Sequence, residues 1–377
     1  MAPRASRPAP ARLPPSAPSA RLPRLPLGSA PARSVRSLLP LSFTAVNHIG
    51  LFVAKAKGFF AEAGLGEVTL LSPHVDQYKT TPAQLVERGD ALLAVCPSES
   101  IISSATRPAS SPRPALRAVA ALLQEDTSAI VALKSSGVAR PADLNCKRYA
   151  SYSARYEGRI VQALIRADGG AGEYAELTPP MLECWPMVLD GRADATWAFI
   201  PELVEAQRAG VELAEFRLAD YGVAYGYSPV LAAAAAALEA RGGDVRAALA
   251  AAARGYAFAA ACPEEAADLL AAAVAAEYPD LPAPLEVEAA RAGAKLAAPA
   301  MLDAAGRWGA MRAERWDAFL DWLSEAGLLT TKVQSRGAPG ADAASLDALR
   351  AGDAGERFPR SAVDAAALFT NDFLPAV

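Results

Sequence analysis

The chain has 377 residues, 52% hydrophobic and 21% charged, a balance typical of a soluble globular protein of one or two domains. Beyond residue 40, 30 Lys and Arg stand against 41 Asp and Glu, and the resulting net charge of −11 argues against a nucleic-acid partner, which requires a basic face. The longest apolar run, PVLAAAAAAL, has ten residues, whereas a membrane-spanning helix requires ~18. We therefore expect a small-molecule partner, no nucleic acid and no membrane span.

The four cysteines do not indicate a metal site or a disulfide framework. They are widely spaced and form no C-x-x-C pair: Cys96, Cys146, Cys184 and Cys262. His48 and His74 are the only histidines, so the sequence predicts no metal site.

The first forty residues differ from the rest of the chain. They contain 7 Arg, 10 Pro and 6 Ser and no acidic residue. Such a segment buries too little apolar surface to offset its ordering entropy, so we expect residues 1–40 to be disordered. Its composition is that of an organelle transit peptide, which would place the protein in a plastid or mitochondrion. The alternative is an unstructured tail or a misassigned start on a cytoplasmic protein.

Short apolar runs alternate with helical stretches from residue 42 onward. The predicted strands are SFTAV, EVTLLSP, ALLAVCP, ALRAVAALL and AIVALKSSG, and the predicted helices are GLFVAKAKGFFAEAGL, TPAQLVERGD and SESIISSAT. Thr81 is the expected N-cap of TPAQLVERGD. This βαβα order predicts a largely parallel sheet covered by helices.

The same alternation continues in the next hundred or so residues. KRYASYS, YAELTP, DATWAFI and VAYGYSPVLAA read as strands, and EGRIVQALIRADGG, MLECWPMVLDGR and PELVEAQRAG as helices. Beyond residue 234 the chain is Ala-rich and predicted to be helical to about Leu329, with breaks at RGGD, CPEE and YPDLPAP. The apolar residues of the closing LFTNDFLPAV predict that the C-terminus docks on the body.

Two α/β lobes joined by two crossing strands are the simplest assembly of these elements. The predicted ranges are 41–130 plus 229–329 for the first lobe and 131–228 for the second, and residues 330–377 form a C-terminal extension. Parallel sheets bind ligands beyond the carboxyl ends of their strands, so each strand-to-helix turn is a candidate site wall. Polar and aromatic side chains gather at four such turns: Asn47, His48, Ser98, Glu99, Ser153, Arg155, Tyr156, Glu157, Tyr225 and Tyr227.

The turn YSARYEG, residues 152–158, admits two interpretations. Ser153 is suited to capping the following helix with nothing bound. Alternatively, the free amides of the helix N-terminus and the Arg155 fork hold an anionic or strongly polar group. Because polar residues cluster at the other turns too, the ligand interpretation is favoured.

Several of these residues also have a purely structural interpretation. Trp185 and Trp197 lie in apolar patterns that favour a core position. Together with Tyr225 and Tyr227, they are also suited to stacking on a flat ligand. Glu99 and Glu157 are suited to binding an amino group on a ring, and they are also ordinary first-turn acids.

An ordered set of segments runs from about residue 42 to residue 330: NHIGLFVAKAKGFFAEAGLGEV, RGDALLAVCPSES, ALKSSGVARPADLNCKRYASY, GRADATWAF and YGYSPVL. This set resembles that of the substrate-binding proteins for sulfonates, nitrate and taurine and of the thiamine pyrimidine synthases, which share one fold. It implies a type II periplasmic-binding-protein-like α/β fold, in which two lobes joined by two crossing strands close on a small ligand.

The synthases of this superfamily build the thiamine pyrimidine from pyridoxal phosphate and one of their own histidines, with iron. Where the resemblance places that histidine, this chain has Ser98 or Glu99, and DYGVAYGYS lacks the family's cysteine cluster. The turn YSARYEG is retained, and it aligns with the loop that holds the cofactor phosphate in the synthases.

The leading hypothesis is a protein that binds a small polar or anionic ring ligand in the interlobe cleft. That ligand would be a thiamine pyrimidine precursor or a pyridoxal phosphate-like molecule, and the role would lie in thiamine pyrimidine biosynthesis or salvage. One alternative is an active synthase-like transferase that uses pyridoxal phosphate, iron and His48 as the consumed group. The other is the solute-binding component of an ABC importer for sulfonate, nitrate or taurine. The sequence leaves open whether the protein acts as a monomer or as a homodimer.

Overall fold

A computed structural model describes residues 35–38, 46–72, 80–107, 115–154, 156–279, 285–331 and 356–376. The strands are β1 (Val35–Leu38), β2 (Val68–Leu71), β3 (Leu93–Cys96), β4 (Leu116–Ala121), β5 (Ala129–Leu133), β6 (Arg148–Ala150), β7 (Ala175–Leu177), β8 (Ala195–Ala198), β9 (Leu213–Phe216) and β10 (Val230–Ala234). The α-helices are α1 (Ile49–Ala56), α2 (Phe59–Glu62), α3 (Pro82–Glu87), α4 (Ser98–Ala105), α5 (Glu157–Ala167), α6 (Cys184–Leu189), α7 (Ile200–Arg208), α8 (Ala235–Ala261), α9 (Pro263–Glu277), α10 (Val287–Met301), α11 (Ala313–Glu325) and α12 (Ala365–Leu368).

The described strands form two sheets, one for each lobe. The first lobe has the order β2-β1-β3-β10-β4, and the second has the order β7-β6-β8-β5-β9. The chain passes between them twice, through a first connector (residues 122–128) and a second connector (residues 217–229). The α/β fold of two lobes with two crossings is therefore the one that the sequence predicted.

Both sheets are mixed, whereas the alternation of strands and helices predicted largely parallel ones. Strand β10 pairs antiparallel with β3 and β4, and β5 pairs antiparallel with β8 and β9. In each sheet the antiparallel strand is the first one after a connector, so it enters its sheet from the cleft side. The parallel pairs β1–β2, β1–β3, β6–β7 and β6–β8 follow the predicted βαβ pattern.

The first strand lies earlier in the chain than predicted. Residues 35–38 form β1, inside the segment that composition predicted to be disordered, and β1 lies between β2 and β3 in the sheet. Of the run SFTAV, residues 42–45 lie outside the described residues, and Val46 belongs to a 3-10 turn, Val46–His48, that leads into α1.

Helix α3 begins as the sequence predicted. The Thr81 hydroxyl accepts a hydrogen bond from the Gln84 backbone N–H (3.3 Å), and the Gln84 side chain accepts one from the Thr81 backbone N–H (2.9 Å). This reciprocal pair is a capping box, and it satisfies two amide donors that the helix cannot satisfy itself.

The Ala-rich helices pack closely on the first lobe. Helix α8 runs through the predicted break at RGGD with a kink at Arg241 and ends at Ala261, immediately before the predicted break at CPEE. At the α1–α8 crossing, a Cβ on Gly255 would lie 1.9 Å from the Gly50 carbonyl oxygen. Tyr256 fills the adjacent space, stacks on Trp308 at 4.8 Å and donates to the Asn47 carbonyl at 2.5 Å. Small residues thus bring α1 and α8 close enough for their backbones to touch.

Residues 356–376 pack on the first lobe. The Thr370 backbone N–H donates to the Ala118 carbonyl of β4 (2.9 Å), and Phe369 stacks on Trp316 of α11 with ring centroids 6.0 Å apart. The Asn371 side chain forms two hydrogen bonds with the Met311 backbone, one accepted (3.0 Å) and one donated (2.8 Å). In the described ranges, no helix is both long and apolar enough to cross a membrane.

Candidate ligand-binding cleft

A cleft of about 340 Å³ lies between the two lobes, and both connectors contribute to its wall. The first lobe supplies the start of α1 and the turn between β3 and α4. The second lobe supplies the turn before α5, the start of α6 and the turn between β8 and α7. Because most of these are strand-to-helix turns, the cleft lies where α/β sheets generally bind ligands.

Six residues singled out from the sequence line this cleft: Asn47, His48, Glu99, Glu157, Trp197 and Tyr225. All except Tyr225 are more than nine-tenths buried. His48, the histidine considered as a consumed group, is 3% exposed. His74 and Arg155 lie outside the described residues.

Ser98 and Tyr227 lie behind the cleft wall. The Ser98 backbone N–H donates to the Tyr227 carbonyl (3.0 Å), which ties α4 to the second connector. The Tyr227 hydroxyl accepts from the Arg312 backbone N–H (3.1 Å), and its ring centroid lies 6.2 Å from that of Trp316. Both residues support the wall from the core side.

The turn before α5 has a left-handed residue but no side-chain cap. Ser153 has φ 59°, and its backbone N–H donates to the Ser151 hydroxyl (2.9 Å). The N-cap of α5 is Tyr156, which makes no capping hydrogen bond through its side chain. Ser153 and Tyr156 are both buried and do not line the cleft.

Glu157 takes the place of a cap at this turn. One of its carboxylate oxygens accepts from the Tyr149 hydroxyl (3.0 Å) and the Tyr152 N–H (3.1 Å), and the other accepts from the Ala154 N–H (3.1 Å). Burial, followed by the negative charge of Glu176, raises the pKa of Glu157 to about 7. At neutral pH the carboxyl is therefore present in both protonation states, and it can accept or donate a hydrogen bond.

The cleft is also lined by carboxyl groups that the sequence did not single out. Asp126 lies in the first connector, and Glu202 and Glu205 lie on the first turns of α7. Burial raises the pKa of Asp126, and burial raises that of Glu202 to about 7. Glu202 follows β8 at the same kind of strand-to-helix turn as the predicted residues, so its position was a usable signal. Asp126 could have been found by asking which residues lie in the connectors of a two-lobed fold.

Aromatic rings form much of the remaining wall. Trp197 lies 5.5 Å from Tyr225, and Tyr152 lies 5.9 Å from Phe199, measured between ring centroids. Trp185, on α6, also lines the cleft. Trp185 and Trp197 are each 5% exposed, so these two side chains belong both to the packed interior and to the cleft wall.

Three wall residues carry buried polar atoms that have no hydrogen-bond partner in the described part of the chain. They are the Asn47 side-chain oxygen and the indole nitrogens of Trp185 and Trp197. An unpaired buried polar group costs about 1–3 kcal/mol, so such groups rarely persist without a reason. All three residues line the same cleft, and a polar group bound there would supply the partners that the described chain does not.

The cleft is acidic. Among its described lining residues there is no lysine or arginine, while Glu99, Asp126, Glu157, Glu202 and Glu205 all contribute carboxyl groups. Within the described residues, no group of three or more His, Cys, Asp or Glu side chains is arranged to hold a metal ion.

A family model described as NMT1/THI5 like matches residues 45–266 of this chain. The chain belongs to the NMT1/THI5-like family. The matched range begins just before Asn47 and ends after α8, so it includes the residues that line the cleft.

Individual relatives are more distant. The chain is 26% identical to the formylaminopyrimidine-binding protein of Halalkalibacterium halodurans over 278 residues, which is 73% of this chain and 80% of that protein.

Solved structures share the fold at low identity. A protein from Bordetella bronchiseptica has a TM-score of 0.63 at 16% identity, covering 90% of this chain and 95% of its own. The alkanesulfonate-binding protein of Xanthomonas axonopodis has a TM-score of 0.60 at 14% identity, with 80% and 96% covered. The nitrate-binding protein of Synechocystis has a TM-score of 0.56 at 13% identity, with 92% and 91% covered. These structures are solute-binding proteins or share their two-lobed architecture, and they establish the fold.

Proposed function

We propose that this protein binds a small, amino-substituted nitrogen heterocycle of the aminopyrimidine type in the interlobe cleft, in the handling of a thiamine pyrimidine precursor. The observation that carries the proposal is the lining of the cleft, to which both carboxyl groups and aromatic rings contribute and no described lysine or arginine does. Aromatic walls bind flat rings, and carboxyl groups bind amino groups.

Glu157 suits this ligand class in particular. A carboxyl group with a pKa of about 7 can accept a hydrogen bond from a ring amino group and, when protonated, donate one to the adjacent ring nitrogen. Protonation of the ring nitrogen gives the complementary pairing with the carboxylate. Glu99, 4% exposed in the opposite wall, offers a second acceptor.

The same lining disfavours the anionic alternatives. Sulfonate, nitrate and the phosphate of pyridoxal phosphate would each meet the carboxyl groups of the wall at close range, and like charges at low dielectric repel strongly. The similarity to a formylaminopyrimidine-binding protein also favours the heterocycle. The NMT1/THI5-like family membership is consistent with it.

Isothermal titration of the full chain would test the proposal with formylaminopyrimidine, taurine, nitrate and pyridoxal phosphate as separate probes. We expect saturable binding of formylaminopyrimidine and none of the two small anions. Glu157→Gln should weaken that binding about tenfold or more, because a charged or proton-sharing hydrogen bond is worth roughly 1.5–3 kcal/mol. Glu239→Gln, an exposed acid on α8, is the matched control and should leave affinity unchanged.

Binding of taurine or nitrate without binding of formylaminopyrimidine would contradict the proposal and leave an anion binder. Binding of pyridoxal phosphate would instead favour the synthase-like alternative. Mass spectrometry of His48 after incubation with pyridoxal phosphate and Fe(II) would then show whether the side chain is consumed.

A further inference from the structure

The two connectors meet at one side chain of α11. The Arg315 guanidinium donates to the Gln124 carbonyl of the first connector and to the Gly226 carbonyl of the second (3.2 Å). We infer that Arg315 clamps the two connectors together and sets the pivot about which the lobes open and close. This inference concerns the geometry of the chain and does not depend on which ligand the cleft binds.

The first connector is fixed on its first-lobe side. The Gln124 backbone N–H donates to the Ala300 carbonyl (2.6 Å), and its side chain donates to the Ala310 carbonyl (3.1 Å). The Leu122 N–H donates to the Pro229 carbonyl of the second connector (3.0 Å). Residues 122–124 therefore move with the first lobe.

The second connector is fixed around Tyr227. The Arg315 guanidinium lies over the Tyr227 ring, 4.4 Å from its centroid, which adds a cation–π contact to the clamp. The Tyr227 carbonyl and hydroxyl accept from the backbone N–H groups of Ser98 and Arg312, respectively. Residues 226–229 therefore also move with the first lobe.

The connector residues that bend when the lobes move lie between the Arg315 contacts and the second lobe. They fall within residues 125–128 of the first connector and 217–225 of the second, because Arg315 and the neighbouring bonds fix residues 122–124 and 226–229. Asp126 and Tyr225 lie within these two ranges and line the cleft. Arg315, a positioning residue, thus determines where both groups stand relative to a ligand without lining the cleft itself.

The clamp lies in a part of the chain beyond the family match, which ends at residue 266. Helix α11 is held from the other side by the C-terminal segment, through the stacking of Phe369 on Trp316 and the pairing of Asn371 with Met311. A planar fork that reaches two carbonyls is a property of arginine, and the compact ammonium group of lysine does not reproduce it.

The native cysteines allow a direct test in the absence of ligand. Cys146 lies in the second lobe and Cys262 in the first, and both are exposed, whereas Cys96 and Cys184 are buried. Spin labels on Cys146 and Cys262 of the full chain would report the interlobe distance by double electron–electron resonance. The variants are Arg315→Ala, Arg315→Lys and, as the matched control on the turn before the same helix, Arg312→Ala, whose side chain is exposed.

We expect Arg315→Ala to broaden the distance distribution and to shift its mean, because Gln124 and Gly226 would no longer be tied to α11 and the less constrained connectors permit more lobe orientations. Arg315→Lys should broaden it less, since one ammonium can hold one carbonyl at a time, and Arg312→Ala should match the wild type. If Arg315→Ala fails to fold, Arg315→Lys decides the question. A wild-type distribution in the folded Arg315 variants would overturn the inference. Failure of formylaminopyrimidine to bind would leave this result unaffected, so the two proposals fail separately.

Discussion

The α1–α8 contact and the interlobe cleft differ in how tightly they are packed and in whether their buried polar atoms are paired. At the contact, glycines allow two backbones to touch, and Tyr256 fills the adjacent space and donates its hydroxyl hydrogen to a carbonyl. At the cleft wall, buried polar atoms of Asn47, Trp185 and Trp197 have no partner among the described residues, and a buried glutamic acid has a raised pKa. The first region is built for stability, whereas the second retains groups that reduce stability, as functional sites commonly do.

The largest effect is expected at the packed contact. In Gly255→Ala the new methyl group would meet the Gly50 carbonyl, and neither backbone can move away without shifting a helix. Overpacking typically costs about 1–3 kcal/mol, and this contact with a backbone oxygen lies at the upper end of that range. We expect a large fall in the free energy of unfolding, measured by urea denaturation.

The matched control lies on the same helix. Gly243 has no atom within 4 Å of an added Cβ, so Gly243→Ala should stabilise the protein by about 0.5–1 kcal/mol through helix propensity. Equal effects of the two substitutions would mean that α1 and α8 do not approach as closely as described.

The pH dependence of stability should distinguish the cleft from the packed contact. The folded state raises the Glu157 pKa from 4.5 to about 7, so the folded protein holds this proton more tightly than the unfolded chain. The contribution of Glu157 to stability is therefore greatest below pH 4.5, falls as pH rises to about 7 and then levels off. Glu157→Gln should remove that slope, which amounts to about 3 kcal/mol between its limits.

Denaturation curves from pH 4 to pH 8 would measure this difference. Glu176→Gln should reduce the slope without abolishing it, because the Glu176 charge is a smaller cause of the shift than burial. A Glu157→Gln profile parallel to that of the wild type would show that the group titrates normally.

A smaller effect is expected at Asn47, where a substitution should raise stability and lower ligand affinity. Asn47→Leu removes an unpaired buried oxygen at similar volume, so the free energy of unfolding should rise by about 1 kcal/mol while affinity for formylaminopyrimidine falls about tenfold. Thermal denaturation and titration would be run on the same preparation. Asn145→Leu is the matched control, because the Asn145 oxygen accepts from the Glu173 N–H (3.1 Å) and its loss should lower stability instead. A loss of stability in Asn47→Leu would show that its oxygen is paired.

The smallest effect is expected at the C-terminal segment. Asn371→Ala deletes both hydrogen bonds to the Met311 backbone and should lower the free energy of unfolding by only about 0.5–1 kcal/mol, because both bonds are part-buried and water can replace them. Limited proteolysis should also cut residues 356–376 sooner than in the wild type. An unchanged cleavage rate would indicate that the other contacts, among them the Phe369–Trp316 stacking and the Thr370–Ala118 bond, hold the segment without Asn371.

Local sequence patterns predicted the elements and the general place of the cleft, because strand-to-helix turns carry their own signals. Thr81 with Gln84 is a complete local motif, and Asn47, Glu99 and Glu157 each follow a recognisable strand or precede a helix. Position along the chain was sufficient to predict that these residues lie at the cleft.

Features that depend on distant parts of the chain were not predictable in this way. The antiparallel sense of β10 follows from its return across the cleft, and Asp126 reaches the wall only because both connectors do. The acidic character of the cleft arises from five carboxyl residues on four separate segments of the chain. No single stretch of sequence displays it, and a ligand of anionic type therefore seemed as suitable as an amino-bearing one.

The position of β1 has a consequence for any shortened form of the protein. Because β1 is an internal strand, a chain that began at residue 41 would leave β2 and β3 with unpaired edges facing each other. Exposed edges of this kind promote aggregation through edge-to-edge pairing. Proteolytic maturation or an alternative translation start that preserves the first sheet would therefore have to fall before residue 35.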